Sequence, residues 1–190
     1  MWHHAGVHFG PGIATLHVQL ADVEPAIWRR IEVDDRMTLP ALAVALEAAM
    51  GWEGYHLHGF EVGDGVMFGP PDPDFDHTID ETAVTVGQIL PRPGSTLRWH
   101  YDFGDGWEHL VTVEQRDAPK PKAKYPRLLD GARACPPEDC GGPWGYGDLL
   151  AALADNGHPR HDDMVEWAPE GFDPERFDAD RIAKAVRLAG

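Results

Sequence analysis

The stretch Trp99-His100-Tyr101-Asp102-Phe103-Gly104-Asp105-Gly106-Trp107-Glu108-His109 decides the fold. Asp105-Gly106 between two alternating segments is a strong hairpin signal, because a type I′ turn needs positive φ at both central residues. A two-residue turn there sets Asp102 opposite His109 and His100 opposite Val111. Side chains alternate along a strand, so Arg98, His100, Asp102, Trp107, His109, Val111 and Val113 share one face. Trp99, Tyr101, Phe103, Leu110 and Thr112 take the other. One face of the ribbon then presents a carboxylate and two imidazoles among apolar residues, groups that need polar partners when buried.

Working outward, Ala14, Leu16, Val18 and Leu20 alternate with polar residues and read as a first strand, and 27–33 as a second. Thr38 and Pro40 open a helix. Its apolar stripe is Leu39, Leu42, Ala43, Leu46, Ala49 and Met50, and Gly51 closes it. A further hairpin is expected at 56–68 around Gly63-Asp64-Gly65, then a Pro/Asp-rich loop at 69–80, a helical piece at 85–90 and the central hairpin at 96–115. The strand-rich part spans 13–116. A basic, Pro-containing linker follows at 117–134, then a Gly/Pro-rich segment and helices over 135–190, the helices at about 146–155, 161–167 and 178–188. The expectation is one α+β domain over 1–190, a mainly antiparallel sheet packed by helices with a helical C-terminal third.

Composition narrows the function. The 190 residues are 43% hydrophobic and 25% charged, ordinary values for a globular domain. No apolar run is long enough to span a bilayer, and Met1-Trp2-His3-His4 does not begin a secretory signal, so a cytoplasmic protein with no membrane partner is expected. The net charge is −16, which repels a phosphate backbone and argues against nucleic acid. The repulsion is uneven. Between Glu138 and Asp180 lie twelve acids and two basic residues, whereas Lys120, Lys122 and Lys124 cluster in the linker with Arg127 and Arg133 close behind. No aromatic platform is interleaved with those lysines, and a solvated loop is the plainer reading.

Several constellations carry possible chemistry. Asp102 facing His109 makes an oriented base or a mutually satisfied polar pair. No Gly-x-Ser-x-Gly elbow supplies a nucleophile, and Ser95 and Thr112 stand without a motif. Cys135 and Cys140, with His158 and His161, have the ligand types of a zinc site, although the His pair is one residue closer than the usual spacing and two free thiols are the plainer reading. A mixed metal site drawn from His56, His58, Asp102 or His109 is an alternative. Asp72, Asp74, Asp76 and Asp80 imitate a calcium loop, but His77 and Ala83 replace its essential glycine and glutamate. The run Gly141 to Gly147 lacks the Lys-Ser/Thr ending of a phosphate loop. Trp144 and Tyr146 within it are candidates to wall a ligand pocket.

Five blocks together resemble the plasmid pRiA4b ORF-3-like family, sometimes labelled transposon passenger or TnpR-type proteins. They are Pro25-Ala26-Ile27-Trp28-Arg29-Arg30-Ile31, His58-Gly59-Phe60, Tyr101 through His109, Cys135 through Gly142, and His158 through His161 and Trp167 to Phe172-Asp173-Pro174-Glu175. In the family the place of Cys140 is usually another residue. The resemblance implies a small α+β domain found on bacterial chromosomes, plasmids and mobile elements, with no established activity. A serine or tyrosine recombinase needs its nucleophile beside arginines and a basic DNA-reading helix, and this chain shows neither.

The expectation is therefore a non-enzymatic binding or accessory module with a polar face for a protein or small ligand, using His58, Asp102, His109, Trp144 and Tyr146. It requires no cofactor, and zinc is the alternative at the cysteines. A metal-dependent hydrolase or nuclease using Asp102, His109, Glu138 and Asp139 is the second reading, and a DNA-binding accessory protein the third. The enzyme reading demands that these side chains converge beside an open pocket.

Overall fold

The computed structural model describes residues 12–71 and 78–190. The calcium-loop imitation at Asp72, Asp74 and Asp76, and the His3-His4 pair, lie outside the described residues. Strands β1 (Ile13–Leu20) and β2 (Trp28–Asp34) pair antiparallel, and β2 continues to β8 (Arg127–Ala132) at one edge. On its other side β1 pairs with β7 (Trp107–Asp117), and β7 with β6 (Thr96–Tyr101). Beyond β6 come β3 (His58–Val62), β4 (Val66–Gly69) and β5 (Ile79–Asp80). The eight strands make one sheet in the order β5-β4-β3-β6-β7-β1-β2-β8, antiparallel except for the β4–β5 pair. Mixed α/β content with a mostly antiparallel sheet is thus the architecture.

Helix α1 (Leu39–Met50) follows its apolar stripe, and all six stripe residues are buried. Thr38 stands at its N-cap, but its side chain makes no capping bond. The first amide, Leu39 N–H, instead donates to Val84 O at 2.9 Å. Helix α2 (Val86–Ile89) starts from a reciprocal Thr85–Gln88 capping box. The remaining helices are α3 (Gly142–Ala154), α4 (His161–Trp167) and α5 (Ala179–Leu188). Helix α5 lies against α1 and β8 through Ile182 and Val186. The 117–134 segment is therefore not a plain linker, since residues 127–132 add an edge strand. Alternation is weak there, and Asp130-Gly131 interrupts it.

One sheet face builds the core. Leu97, Trp99 and Tyr101 from β6 meet Trp107, His109, Val111 and Val113 from β7, under α1. The opposite face is laced with ion pairs such as Arg30–Glu114 at 2.6 Å and Arg98–Glu61 at 3.5 Å. A sheet wet on one side gives this division.

The central hairpin exists, but its turn is longer than Asp105-Gly106. Tyr101 pairs with Trp107, His100 with Glu108 and Trp99 with His109, so residues 102–106 form the loop. Asp102 adopts the left-handed conformation at φ 54°. Its Oδ1 accepts from Gly104 N–H at 3.0 Å and Asp105 N–H at 3.3 Å, while its carbonyl accepts from Gly106 N–H at 2.7 Å. That self-capping turn outcompetes the two-residue alternative. The pairing shifts by an odd number of residues, which moves every β6 side chain to the other face. Trp99 and Tyr101 go inward, and His100 goes outward to Glu61 at 3.1 Å. Asp102 and His109 do not face each other.

Candidate functional site

Three chain segments converge at the β6–β7 hairpin tip. Gly51, left-handed at φ 93°, ends α1 and releases Trp52 and the loop that carries His56. Trp52 lies flat on Tyr101, ring centroids 4.6 Å apart, and its indole N–H donates to Pro136 O at 2.9 Å. That bond holds the Cys135–Gly142 segment over the hairpin. Asp105 Oδ2 secures the far side by accepting from Gly141 N–H at 3.0 Å. Gly142 is indispensable to the clasp: a Cβ there would lie 2.2 Å from Asp105 O, and its φ is +68°.

The clasp delivers three carboxylates to one imidazole. His56 Nε2 lies 3.1 Å from Asp139 Oδ1, 3.6 Å from Asp102 Oδ2 and 3.7 Å from Glu138 Oε2. It is enclosed, yet it has no hydrogen-bond partner. Asp139 is within distance but off the direction a hydrogen bond requires. One ligand atom each from His56, Asp102 and Asp139 lies within 4.8 Å of the others. Ligands about 2.1 Å from a single ion are themselves about 3.0–3.4 Å apart; the His56–Asp139 distance of 3.1 Å falls in that range and the His56–Asp102 distance of 3.6 Å just beyond it. Glu138 is positioned by Tyr101 Oη, donating at 3.0 Å, and by Glu53 N–H at 2.8 Å. Burial and the neighbouring Glu138 push the Tyr101 phenol well above its ordinary range, so it stays a donor.

A second polar group adjoins. His58 Nε2 meets the buried Glu81 at 3.0 Å, and its Nδ1 lies 3.9 Å from Glu47. Burial, together with the charges of Glu138 and Glu81, raises the Glu47 carboxyl above its usual range, against the lowering effect of His58. His58 is therefore occupied by Glu81 and does not join Asp102 and His109 in one pocket.

The structure redistributes the other expected site residues. His109 is enclosed between Trp99, at 4.5 Å, and Trp52, at 5.3 Å, and faces Trp99 O at 3.2 Å through Nδ1. Burial depresses it to about 3, so it is a neutral core imidazole. Trp144 points to solvent at 90% exposure whereas Tyr146 is buried, so they do not wall one pocket. The four zinc-type residues do not assemble. Cys135 and Cys140 pack against the core, and burial raises both thiols to about 12. Helix α3 intervenes before His158 and His161; its thirteen residues rise about 20 Å. His161 Nδ1 is bound to Ala152 O at 2.8 Å. Of the basic stretch, Lys120 and Arg127 pair with Glu32 and Arg133 pairs with Glu175.

Glu138, Asp139 and Asp102 are thus brought together, and His56 completes them. His56 is among the residues of the alternative mixed metal site, with Asp102 as one of its possible partners; His58 and His109 do not join it, and Glu47, Glu53 and Glu81 carry no signal in the sequence. Glu138 and Asp139 also line a cleft of about 720 Å³. Among the described residues no helix is long and apolar enough to cross a membrane.

Residues 12–181 match the family model for the plasmid pRiA4b ORF-3-like protein, and the chain belongs to that family. An uncharacterized protein, y4hQ, of Sinorhizobium fredii (strain NBRC 101917 / NGR234) is 40% identical over 177 residues, covering 92% of this chain and 90% of its own. A crystal structure of the protein of unknown function MM3350 from Methanosarcina mazei Go1 superposes with a TM-score of 0.82 at 34% identity. That match covers 90% of this chain and 98% of the other.

Proposed function

Starting from that family membership, we propose that this protein is a binding module whose ligand at the hairpin tip is a divalent metal ion. The observation that carries the reading is the enclosed, unpartnered His56 Nε2, surrounded by carboxylate oxygens of Asp102, Glu138 and Asp139. Three carboxylates gathered around one imidazole repel one another, and a cation removes the repulsion. Mixed nitrogen and oxygen donors suit manganese, iron(II) or zinc better than the softer thiolate-loving ions. Tyr101 and Glu53 hold Glu138 by its other oxygen, the kind of supporting bond that keeps a ligand oriented. The rival account is a simple ion pair between an imidazolium and its acids. It differs in one respect: an ion pair takes up no metal.

The test uses protein carrying His3→Ala and His4→Ala, freed of metal on a chelating resin and titrated calorimetrically with Mn²⁺ and Zn²⁺. Saturable one-to-one binding, lost in both His56→Ala and Asp139→Asn, is expected. Binding that is absent, or unchanged by both substitutions, overturns the reading.

A metal-dependent hydrolase is the second reading, favoured by Glu138 and Asp139 lining both the cluster and the open cleft. A metal there would activate water, with Glu138 within reach as its base. Manganese-dependent hydrolysis of bis(p-nitrophenyl) phosphate, abolished by Glu138→Gln and by His56→Ala, is its signature; metal binding without turnover leaves the binding module. The family's association with mobile elements enters neither reading.

A further inference from the structure

The same cleft contains a cation that the metal cluster does not use. Arg29 projects from β2 beneath the end of α1 and is 1% exposed. Its Nε donates to Ala49 O, and its Nη1 donates to Trp28 O and Ala132 O, each at 2.8 Å. These acceptors are neutral carbonyls; the C-terminal end of α1 adds only a fractional negative charge through Ala49. Among the described residues no carboxylate pairs with Arg29. Nη2 makes no hydrogen bond among the described residues, and Arg29 is one of the residues that line the cleft. Phe177 covers the guanidinium at 4.8 Å. Gly131 permits that contact, since a Cβ there would lie 2.5 Å from the Phe177 ring.

An enclosed arginine keeps its proton, and an unneutralised buried charge is strongly unfavourable. Burial disfavours the charged form of Arg29, and the neighbouring Cys135 opposes this in part. We infer that the cleft is a binding site for an organic monocarboxylate, whose carboxylate docks on Arg29 Nη2 and whose apolar body lies against Trp52, Phe172 and Phe177. One enclosed free cation matches one negative charge. The neighbouring Arg133 and Arg176 are already paired, with Glu175 and Asp178; Arg181 also lines the cleft but is exposed, its charge solvated; and acids such as Glu53, Glu138 and Asp139 line the rest. A doubly charged phosphate meets repulsion there that a monocarboxylate with an apolar body avoids.

The probes are phenylacetate, its neutral isostere phenylacetamide, and inorganic phosphate, added to metal-free protein so that events at His56 do not contribute. The readouts are the NMR signals of the Trp52 indole N–H and the Arg29 Nε–H. Phenylacetate should shift both saturably, with phenylacetamide at least about tenfold weaker. Arg29→Lys should erase that discrimination, because a point-charge ammonium cannot span three carbonyls and the ligand. If Arg29→Lys does not fold, the acid–amide comparison on the parent decides alone. Equal binding of acid and amide, no shift at Arg29, or tighter binding of inorganic phosphate than of phenylacetate overturns the inference.

Discussion

Two imidazoles flank the Trp52–Tyr101 stack, and their surroundings are opposite. His109 meets Trp52 edge-on at 5.3 Å, and His56 meets Tyr101 edge-on at 5.8 Å. His109 has indoles around it and a backbone carbonyl beside Nδ1, and its own Nε2 is enclosed without a partner among apolar rings. His56 has three carboxylates around it and no hydrogen bond at Nε2. The first environment removes the charged form; the second sets a ring nitrogen among anions, which a cation or a proton reconciles. The identical side chain is a packing element on one side of the stack and a candidate ligand on the other. The difference lies in the neighbours that the hairpin register supplies.

The largest expected effect tests the packing half. His109→Ala leaves a void among Trp52 and Trp99 and should cost about 3 kcal/mol in urea denaturation, as for other large-to-small core changes. Metal uptake at His56 should survive in the folded fraction. A cost under about 0.5 kcal/mol would place His109 outside the core.

His109 also sets a pH dependence. Its folded value of about 3 lies below the ordinary 6.5, so between those pH values the unfolded chain binds the extra proton. Stability from this group is complete above pH 6.5 and declines as the pH falls toward 3, by up to about 1.4 kcal/mol per pH unit. Glu47 acts in the opposite sense, because its raised carboxyl holds a proton in the folded state that the unfolded chain releases. The difference between the parent and His109→Gln isolates the histidine: the parent curve should be steeper below pH 6.5. Parallel curves would mean that His109 titrates normally.

Gly142→Ala attacks the clasp that makes the His56 environment. The new Cβ would collide with Asp105 O in a left-handed backbone, and a cost of about 2 kcal/mol is expected. Glu138 and Asp139 should leave His56 while His109 stays enclosed, so metal affinity should fall more than stability. An unchanged affinity would show that the carboxylates reach His56 without the clasp.

These contrasts explain what was legible in the residues. Helix α1 and the hairpin's existence rest on local periodicity and turn chemistry, which a sequence displays. The hairpin's register depends on whether Asp102 starts the turn, a competition between an Asx turn and a type I′ turn decided by one side chain. Parity then propagated that error to every β6 residue and paired the wrong histidine with Asp102. Glu138 and Asp139 were readable because their segment has no periodicity to hold it elsewhere. His56 and Arg29 were harder. The His56 environment comes from residues 46 and 82–83 positions away, and that of Arg29 from Ala49, Ala132 and Phe177. Strand β8 was obscured because an edge strand needs little alternation.

His56→Ala tests the other half of the comparison. In metal-free protein it should change stability by less than about 0.5 kcal/mol, because it removes a partly exposed ring that makes no Nε2 hydrogen bond. Metal affinity should fall at least about tenfold. A destabilisation of the size expected for His109→Ala would make both imidazoles structural and dissolve the contrast.

The smallest stability effect belongs to Asp102→Asn, and it is the sharpest probe of why the acids gather. Asp102 has two separable tasks. Its Oδ1 caps the turn through Gly104 and Asp105, and its Oδ2 faces His56 at 3.6 Å. Asparagine keeps the capping oxygen and tolerates φ 54°, so the turn should persist and stability should change by only a few tenths of a kcal/mol. Asp102→Ala loses both the cap and that tolerance, and about 1–2 kcal/mol should follow. If Oδ2 is a ligand, the asparagine variant should bind Mn²⁺ at least about tenfold more weakly with its fold intact. If its charge instead holds an imidazolium, asparagine should be nearly as destabilising as alanine, and the loss should grow below pH 6.5 where histidine is ordinarily charged. A melting series of the two variants at pH 5.5 and 8 distinguishes these outcomes without any ligand present.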